Sequence, residues 1–204
     1  MDERLRAGTA VFNDGYYHAA HDAWEDRWLD LESGTDDERL LHGLIQFSAA
    51  VHHAREGNWV GATGLADSAG DYLAGLSADH RDVRLPPIRA FLETLAADPE
   101  LIERRRPPVL EHDGDAPTLA DLGFEPTAIA AVVLGEELGY DPEPLEAARE
   151  YARSDLAAGE DDSRFISLLF DFVREDDHRG IVYRRLTQHV GRRQSREADV
   201  DGLF

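Results

Sequence analysis

The run Phe12-Asn13-Asp14-Gly15-Tyr16-Tyr17-His18-Ala19-Ala20-His21-Asp22-Ala23-Trp24-Glu25-Asp26-Arg27-Trp28 decides the fold. Asn13-Asp14-Gly15 is a turn tripeptide, and aromatic side chains recur after it at helical rather than alternating spacing. On a helical wheel Tyr17, Trp24, Trp28 and Leu31 share an arc of roughly 60°. His21, Glu25 and His18 border that arc, whereas Asp22 and Asp26 turn further away. The segment therefore reads as a helix with an aromatic inner face and a titratable edge.

Helical periodicity continues on both sides of this run. The spacing predicts helices over about residues 2–12, 16–31, 37–56, 59–76 and 86–97. Thr35 or Asp36 opens the third, Gly57-Asn58 closes it, and Pro86-Pro87 start the fifth. No segment alternates with period two, so no strand is expected. Residues 1–97 thus form a first helical domain, an all-α bundle of antiparallel helical hairpins joined by short turns. Residues 98–117 read as a linker strapped across the surface, with Arg104-Arg105-Arg106-Pro107-Pro108 and Glu111-His112-Asp113-Gly114-Asp115. Residues 118–191 read as a C-terminal helical extension packed on the first part, and residues 192–204 as a loose tail. Within the extension, Leu122-Gly123-Phe124-Glu125-Pro126 is echoed by Leu138-Gly139-Tyr140-Asp141-Pro142, each read as a left-handed Gly ending one helix and an acid and Pro opening the next. Thr118 with Asp121 is a capping box. Glu160-Asp161-Asp162 reads as the cap of a helix over about 162–175 that is apolar almost all round and expected to be buried. A last helix covers about 179–191.

Composition narrows the classes. The 204 residues suffice for a proper core, and a hydrophobic fraction of 42% fits a globular chain. With no cysteine, disulfides, thiolate nucleophiles and Cys-ligated metal centres are excluded. Asp and Glu number 42 against 21 basic residues, all of them Arg, for a net charge of −21. Such a charge repels phosphate backbones, so nucleic acid is not an expected partner. Acid spread along the whole chain, with no Lys, matches a halophile of archaeal-type composition, whose concentrated cytoplasmic salt screens the repulsion. No apolar run approaches a membrane span and the charged start does not read as a signal peptide, so a cytoplasmic location is expected. A second copy of the chain stays open as a partner.

The chemistry-bearing residues gather on the second and third helices. On the third, His42, Gln46 and His53 share an arc of roughly 40° with small Ala49 and Ala50 beside them, while His52 turns toward Ile45 and Leu41. With the two helices adjacent, His21, Glu25, Gln46 and His53 are expected to converge. Three readings stay open. One is a buried hydrogen-bond network ordering the core of a helical binding or scaffold protein. Another is a divalent-metal or small-ligand site held by His21, Glu25 and His53, which with Gln46 orienting a water or substrate would make a metal-dependent hydrolase-like enzyme. The third is metal-free acid–base catalysis. His80, His112, His178 and His189 are read as scattered surface residues. There is no phosphate-cradling Gly-rich loop and no nucleophile elbow.

The run 12–28, followed by Gly43-Leu44-Ile45-Gln46, His53, Gly57-Asn58 and Gly61-Ala62, resembles a small helical family, domain of unknown function 309. The resemblance covers about residues 5–76. It implies an all-α bundle with no established activity, and it singles out His21, Glu25, Trp28, Gln46, His53 and Asn58. The family usually carries Glu after the motif histidine, where this chain has Asp22. Nothing in the resemblance reaches beyond about Pro107.

Overall fold

The computed structural model describes residues 1–201. Its elements are α1 (Asp2–Asn13), α2 (Tyr17–Leu29), α3 (Asp36–Arg55), α4 (Trp59–Leu73), β1 (Asp79–His80), β2 (Val83–Arg84), α5 (Pro86–Ala97), α6 (Leu101–Arg104), α7 (Phe124–Glu137), α8 (Glu143–Ala157), α9 (Arg164–Arg174) and α10 (Arg179–Asp201). Among the described residues the fold is all-α apart from the β1–β2 ribbon. The chain divides into two compact units, residues 1–122 and 123–204, so residues 98–117 lie within the first.

In the first unit each long helix packs on its neighbours in the chain, α1 on α2, α2 on α3, α3 on α4 and α4 on α5, with the α3–α4 pair the most extensive. Short connections after α1, α2 and α3 make this the geometry of successive hairpins, and the longer α4–α5 connection carries the ribbon. The core is built from Leu5 and Phe12 of α1, Trp24 of α2, Leu40, Leu44 and Phe47 of α3, Leu73 of α4, and Phe91 of α5. Phe47 lies between Phe12 and Phe91, at ring separations of 5.0 and 6.1 Å, and so links three helices. Two glycines set how closely the helices approach. A Cβ on Gly8 would sit 2.2 Å from Trp24 Nε1, and one on Gly43 2.5 Å from Leu73 Cδ2.

The strap is sewn to this unit by the turn that the sequence marks most clearly. Asn13 Nδ2 donates to the carbonyls of Leu110 and Pro117 at 3.0 and 2.9 Å, and Asn13 Oδ1 accepts from Leu110 N at 2.8 Å. Asp14 accepts from Leu119 N at 2.6 Å. One turn therefore closes a hairpin and anchors a segment about a hundred residues away. The ribbon, not expected from sequence, turns on Arg81 and Asp82 with φ of 51° and 59°. Two-residue strands are too short for alternation to show, and Arg-Asp is not the Asn-Gly pair that announces such turns. His112 pairs with Val83 through an isolated bridge and is 5% exposed, so the expectation of a surface histidine fails there. His80 is half-buried against Asp37, Nε2 to Oδ1 3.0 Å.

In the second unit the helix buried on every side is α7, from Pro126 to Gly135, and not α9 as its sequence suggested. α9 buries Phe165, Leu169, Phe172 and Val173 but leaves Ile166, Leu168 and Phe170 partly exposed. Its N-cap is Ser163, not the preceding acids. Ser163 Oγ in turn donates to buried Asp155 at 2.6 Å. The echo is half kept: Gly139 is left-handed at φ 77°, whereas Gly123, at φ −72°, is an ordinary N-cap. α10 runs on to Asp201, well past the Gly191 end read from sequence. The continuation is held by Arg193–Glu197 at 3.2 Å and by Tyr151 donating to Glu197 at 2.9 Å. Residues 202–204 of the expected tail lie outside the described residues.

Candidate functional site

Two polar groups form along α2 and α3. The first belongs to α2. His21 Nδ1 lies 2.8 Å from Asp22 Oδ1, and His18 Nδ1 lies 3.6 Å from Asp22 Oδ2. His21, Asp22 and Glu25 are all half-buried, and each offers a ligand atom within 4.8 Å of the others. The rings of His18 and His21 are stacked at 6.0 Å, and His52 of α3 reaches His18 at 5.5 Å. The hydrogen bond to Asp22 raises the His21 pKa above the ordinary imidazole value; burial opposes the shift, and the charges of Asp22 and Glu25 add to it.

The second group is centred on Glu38, in the first turn of α3 and 8% exposed. Its Oε1 accepts from Trp28 Nε1 at 2.8 Å and lies 3.3 Å from His42 Nδ1, while Oε2 accepts from Gly34 N at 3.2 Å. Gln46 Nε2 stands 3.1 Å from His42 Nε2. This orders the donors in one direction: Gln46 donates to His42 Nε2, and His42 Nδ1–H and Trp28 Nε1–H donate to the carboxylate. His42 stacks on Tyr72 of α4 at 3.8 Å and leans on Trp28 at 4.5 Å. Burial alone would raise the Glu38 pKa, but the hydrogen bonds from Trp28, Gly34 and His42 bring it below the ordinary carboxyl value. Among the described residues, buried Gln46 Oε1 meets no hydrogen-bond donor.

His21 and Glu25 thus lie together, with Asp22 joining them although the wheel turned it away; a short side chain bonds readily to its chain neighbour. His42 and Gln46 lie in the second group. His53 is outside the His21–Asp22–Glu25 set: its Nδ1 is 2.9 Å from Asn58 Nδ2 in the turn between α3 and α4, where Asn58 also caps α4 through Gly61 N at 3.1 Å. Its ring meets the first group through the edge of His52, at 5.9 Å. Sequence reasoning missed Glu38 and set His52 aside. Glu38 did carry a signal, since Thr35-x-x-Glu38 has the capping-box spacing. Thr35 does cap α3, accepting from Glu38 N at 3.2 Å. The Glu38 side chain then turns to Trp28 and His42 instead of back to Thr35.

The second unit holds a concavity of its own. It has a volume of about 1080 Å³, with Arg164, His189, Arg193 and Arg196 facing Asp155 and Glu197. Burial lowers the His189 pKa, and the charges of Arg164, Arg192 and Arg196 lower it further.

These features define an all-α protein whose N-terminal unit carries histidine–carboxylate groups on two adjacent helices. Residues 5–65 match the family described as domain of unknown function, DUF309. The chain is also similar to an uncharacterized protein of Aquifex aeolicus (strain VF5), 27% identical over 111 residues, 54% of this chain. The matched part is 32% of that relative, so the chain spans about a third of the length of the curated relative it matches. Neither description assigns an activity. No described helix is long and apolar enough to cross a membrane.

Proposed function

We propose that this is a helical binding or scaffold protein in which the Gln46–His42–Glu38–Trp28 chain braces the first unit. The observation carrying this reading is that these groups bond one another across α2 and α3 and that His42 stacks on α4, so the Trp28 N–H, the Glu38 carboxylate and both His42 nitrogens are engaged within the bundle. His42→Phe keeps an aromatic ring against Tyr72 and removes the bonds. It is expected to cost about 1–2 kcal/mol in denaturant titrations, because Gln46 and Glu38 each lose a partner. Unchanged stability in that variant would defeat the brace.

The reading extends to habitat. A −21 chain with Arg as its sole strong base is proposed to be a haloarchaeal-type cytoplasmic protein, with a second copy of itself favoured over nucleic acid as a partner. The part after about Pro107 is proposed as a helical addition to the family unit. Screening shortens from about 10 Å at 0.1 M to about 3 Å at 1 M salt. The melting temperature is therefore expected to rise by about 5 °C or more between those conditions in KCl, and a flat or falling profile would reject salt adaptation.

A further inference from the structure

We propose that the concavity of the second unit is a binding site for a phosphate-bearing small molecule, held by Arg164 of α9 and by His189 and Arg196 of α10. The site does not depend on the Glu38 brace, which lies in the first unit. Its origin is visible in the sequence. The chain carries twice as many acids as bases, yet residues 179–196 hold six arginines, one histidine and no Asp or Glu. Within that stretch His189, Arg193 and Arg196 stand at i, i+4 and i+7, on one face of the helix. Arg164, in the first turn of α9, meets them in the concavity of about 1080 Å³. That volume is at the upper end of small-molecule sites, which run from about 300 to 1,000 Å³.

The arginines of the concavity have different partners. Arg193 pairs with Asp155, lies 3.2 Å from Glu197 and stacks on Tyr151 at 4.4 Å. Ser163 donates to Asp155 at 2.6 Å and Tyr151 to Glu197 at 2.9 Å, so both carboxylates are engaged in holding this floor. Arg164 and Arg196 are exposed and have no carboxylate partner among the described residues. Like charges gathered without counter-charges repel one another, and an anion between them relieves that repulsion. Planar guanidinium forks match two oxygens of a phosphate. Burial, and then the charges of Arg164, Arg192 and Arg196, lower the His189 pKa, so its imidazole is neutral at pH 7 and registers the positive field. Glu160 and Asp162, the remaining carboxylates of the lining, are exposed; they repel a long polyanionic backbone and leave room for a compact anion.

Pyrophosphate is the probe. Full-length protein is titrated with it in about 0.1 M and about 1 M KCl and followed by calorimetry and by imidazole NMR, with His189→Gln marking the His189 signal. One saturable pyrophosphate per chain is expected, bound more weakly in the higher salt. On saturation the titration of His189 in the unaltered protein is expected to move to higher pH, because the bound anion offsets the neighbouring arginines. That of exposed His178 is expected to stay where it is. This readout is taken on the parent chain and stands even if a binding variant does not fold. Arg164→Gln and Arg196→Gln are each expected to weaken binding about tenfold or more, the loss of a charge-assisted hydrogen bond. Arg184→Gln, an equal charge change on α10 outside the concavity, is expected to bind as the parent does. Non-saturating uptake, equal weakening by Arg184→Gln and Arg196→Gln, or a His189 titration unmoved by pyrophosphate would overturn the proposal. So would equal affinity for citrate, or tighter binding of a single-stranded oligonucleotide.

Discussion

Glu38→Ala is expected to lower the stability of the first unit by roughly 2–5 kcal/mol, because it strips the acceptor from Trp28 Nε1, Gly34 N and His42 Nδ1 together, and an abandoned buried donor costs about 1–3 kcal/mol. Glu38→Gln keeps one acceptor oxygen in place and is expected to lose less. All three tryptophans, Trp24, Trp28 and Trp59, lie in residues 1–122, so their fluorescence reports that unit alone. The pH dependence follows from the downward shift of the Glu38 pKa in the folded state. A carboxyl held lower when folded contributes fully above its unfolded pKa of about 4.3, and that contribution disappears as pH falls through the folded value. The stability gap between the parent and Glu38→Gln is therefore expected to be constant near neutrality and to shrink below about pH 5. A gap that stays open in acid would contradict the charged brace.

The second large effect lies where α1 meets α2. Trp24 is fully buried, and Trp24→Ala is expected to cost about 3–5 kcal/mol by cavity formation. Gly8→Ala acts on the same contact from the other side, since the new methyl would fall 2.2–2.8 Å from three atoms of the indole. Helix propensity favours the alanine by about 1 kcal/mol, but overpacking of this kind costs about 1–3 kcal/mol and is expected to prevail. Trp24 Nε1 has no hydrogen-bond partner among the described residues, so Trp24→Phe removes volume without orphaning an acceptor. Gly8→Ala combined with Trp24→Phe is therefore expected to be more stable than the two single changes predict, by roughly 0.5–3 kcal/mol in a double-mutant cycle. Strict additivity would mean that the indole is not seated on Gly8.

Much of the first unit was readable in the chain because its signals are local. Asn13-Asp14-Gly15, the Thr35 cap, left-handed Gly57 and Pro86-Pro87 mark element ends through bonds and torsions that span a few residues. The β1–β2 ribbon escaped because its strands are shorter than the period that would reveal them. The end of α10 was misplaced at Gly191 because Arg193, Glu197 and Tyr151 support the helix beyond it, the last of them from α8.

Helix identity, the aromatic inner face of α2 and the polar edge carrying His18, His21 and Glu25 were set by residue order, since periodicity and capping act within a single turn or two. Packing chose the partners: Glu38 for Trp28 and His42, Asn58 for His53, His52 for His18. A wheel places a side chain on a face, but the rotation and closeness of the neighbouring helix, governed here by contacts such as Gly8 on Trp24 and Gly43 on Leu73, determine what that face meets.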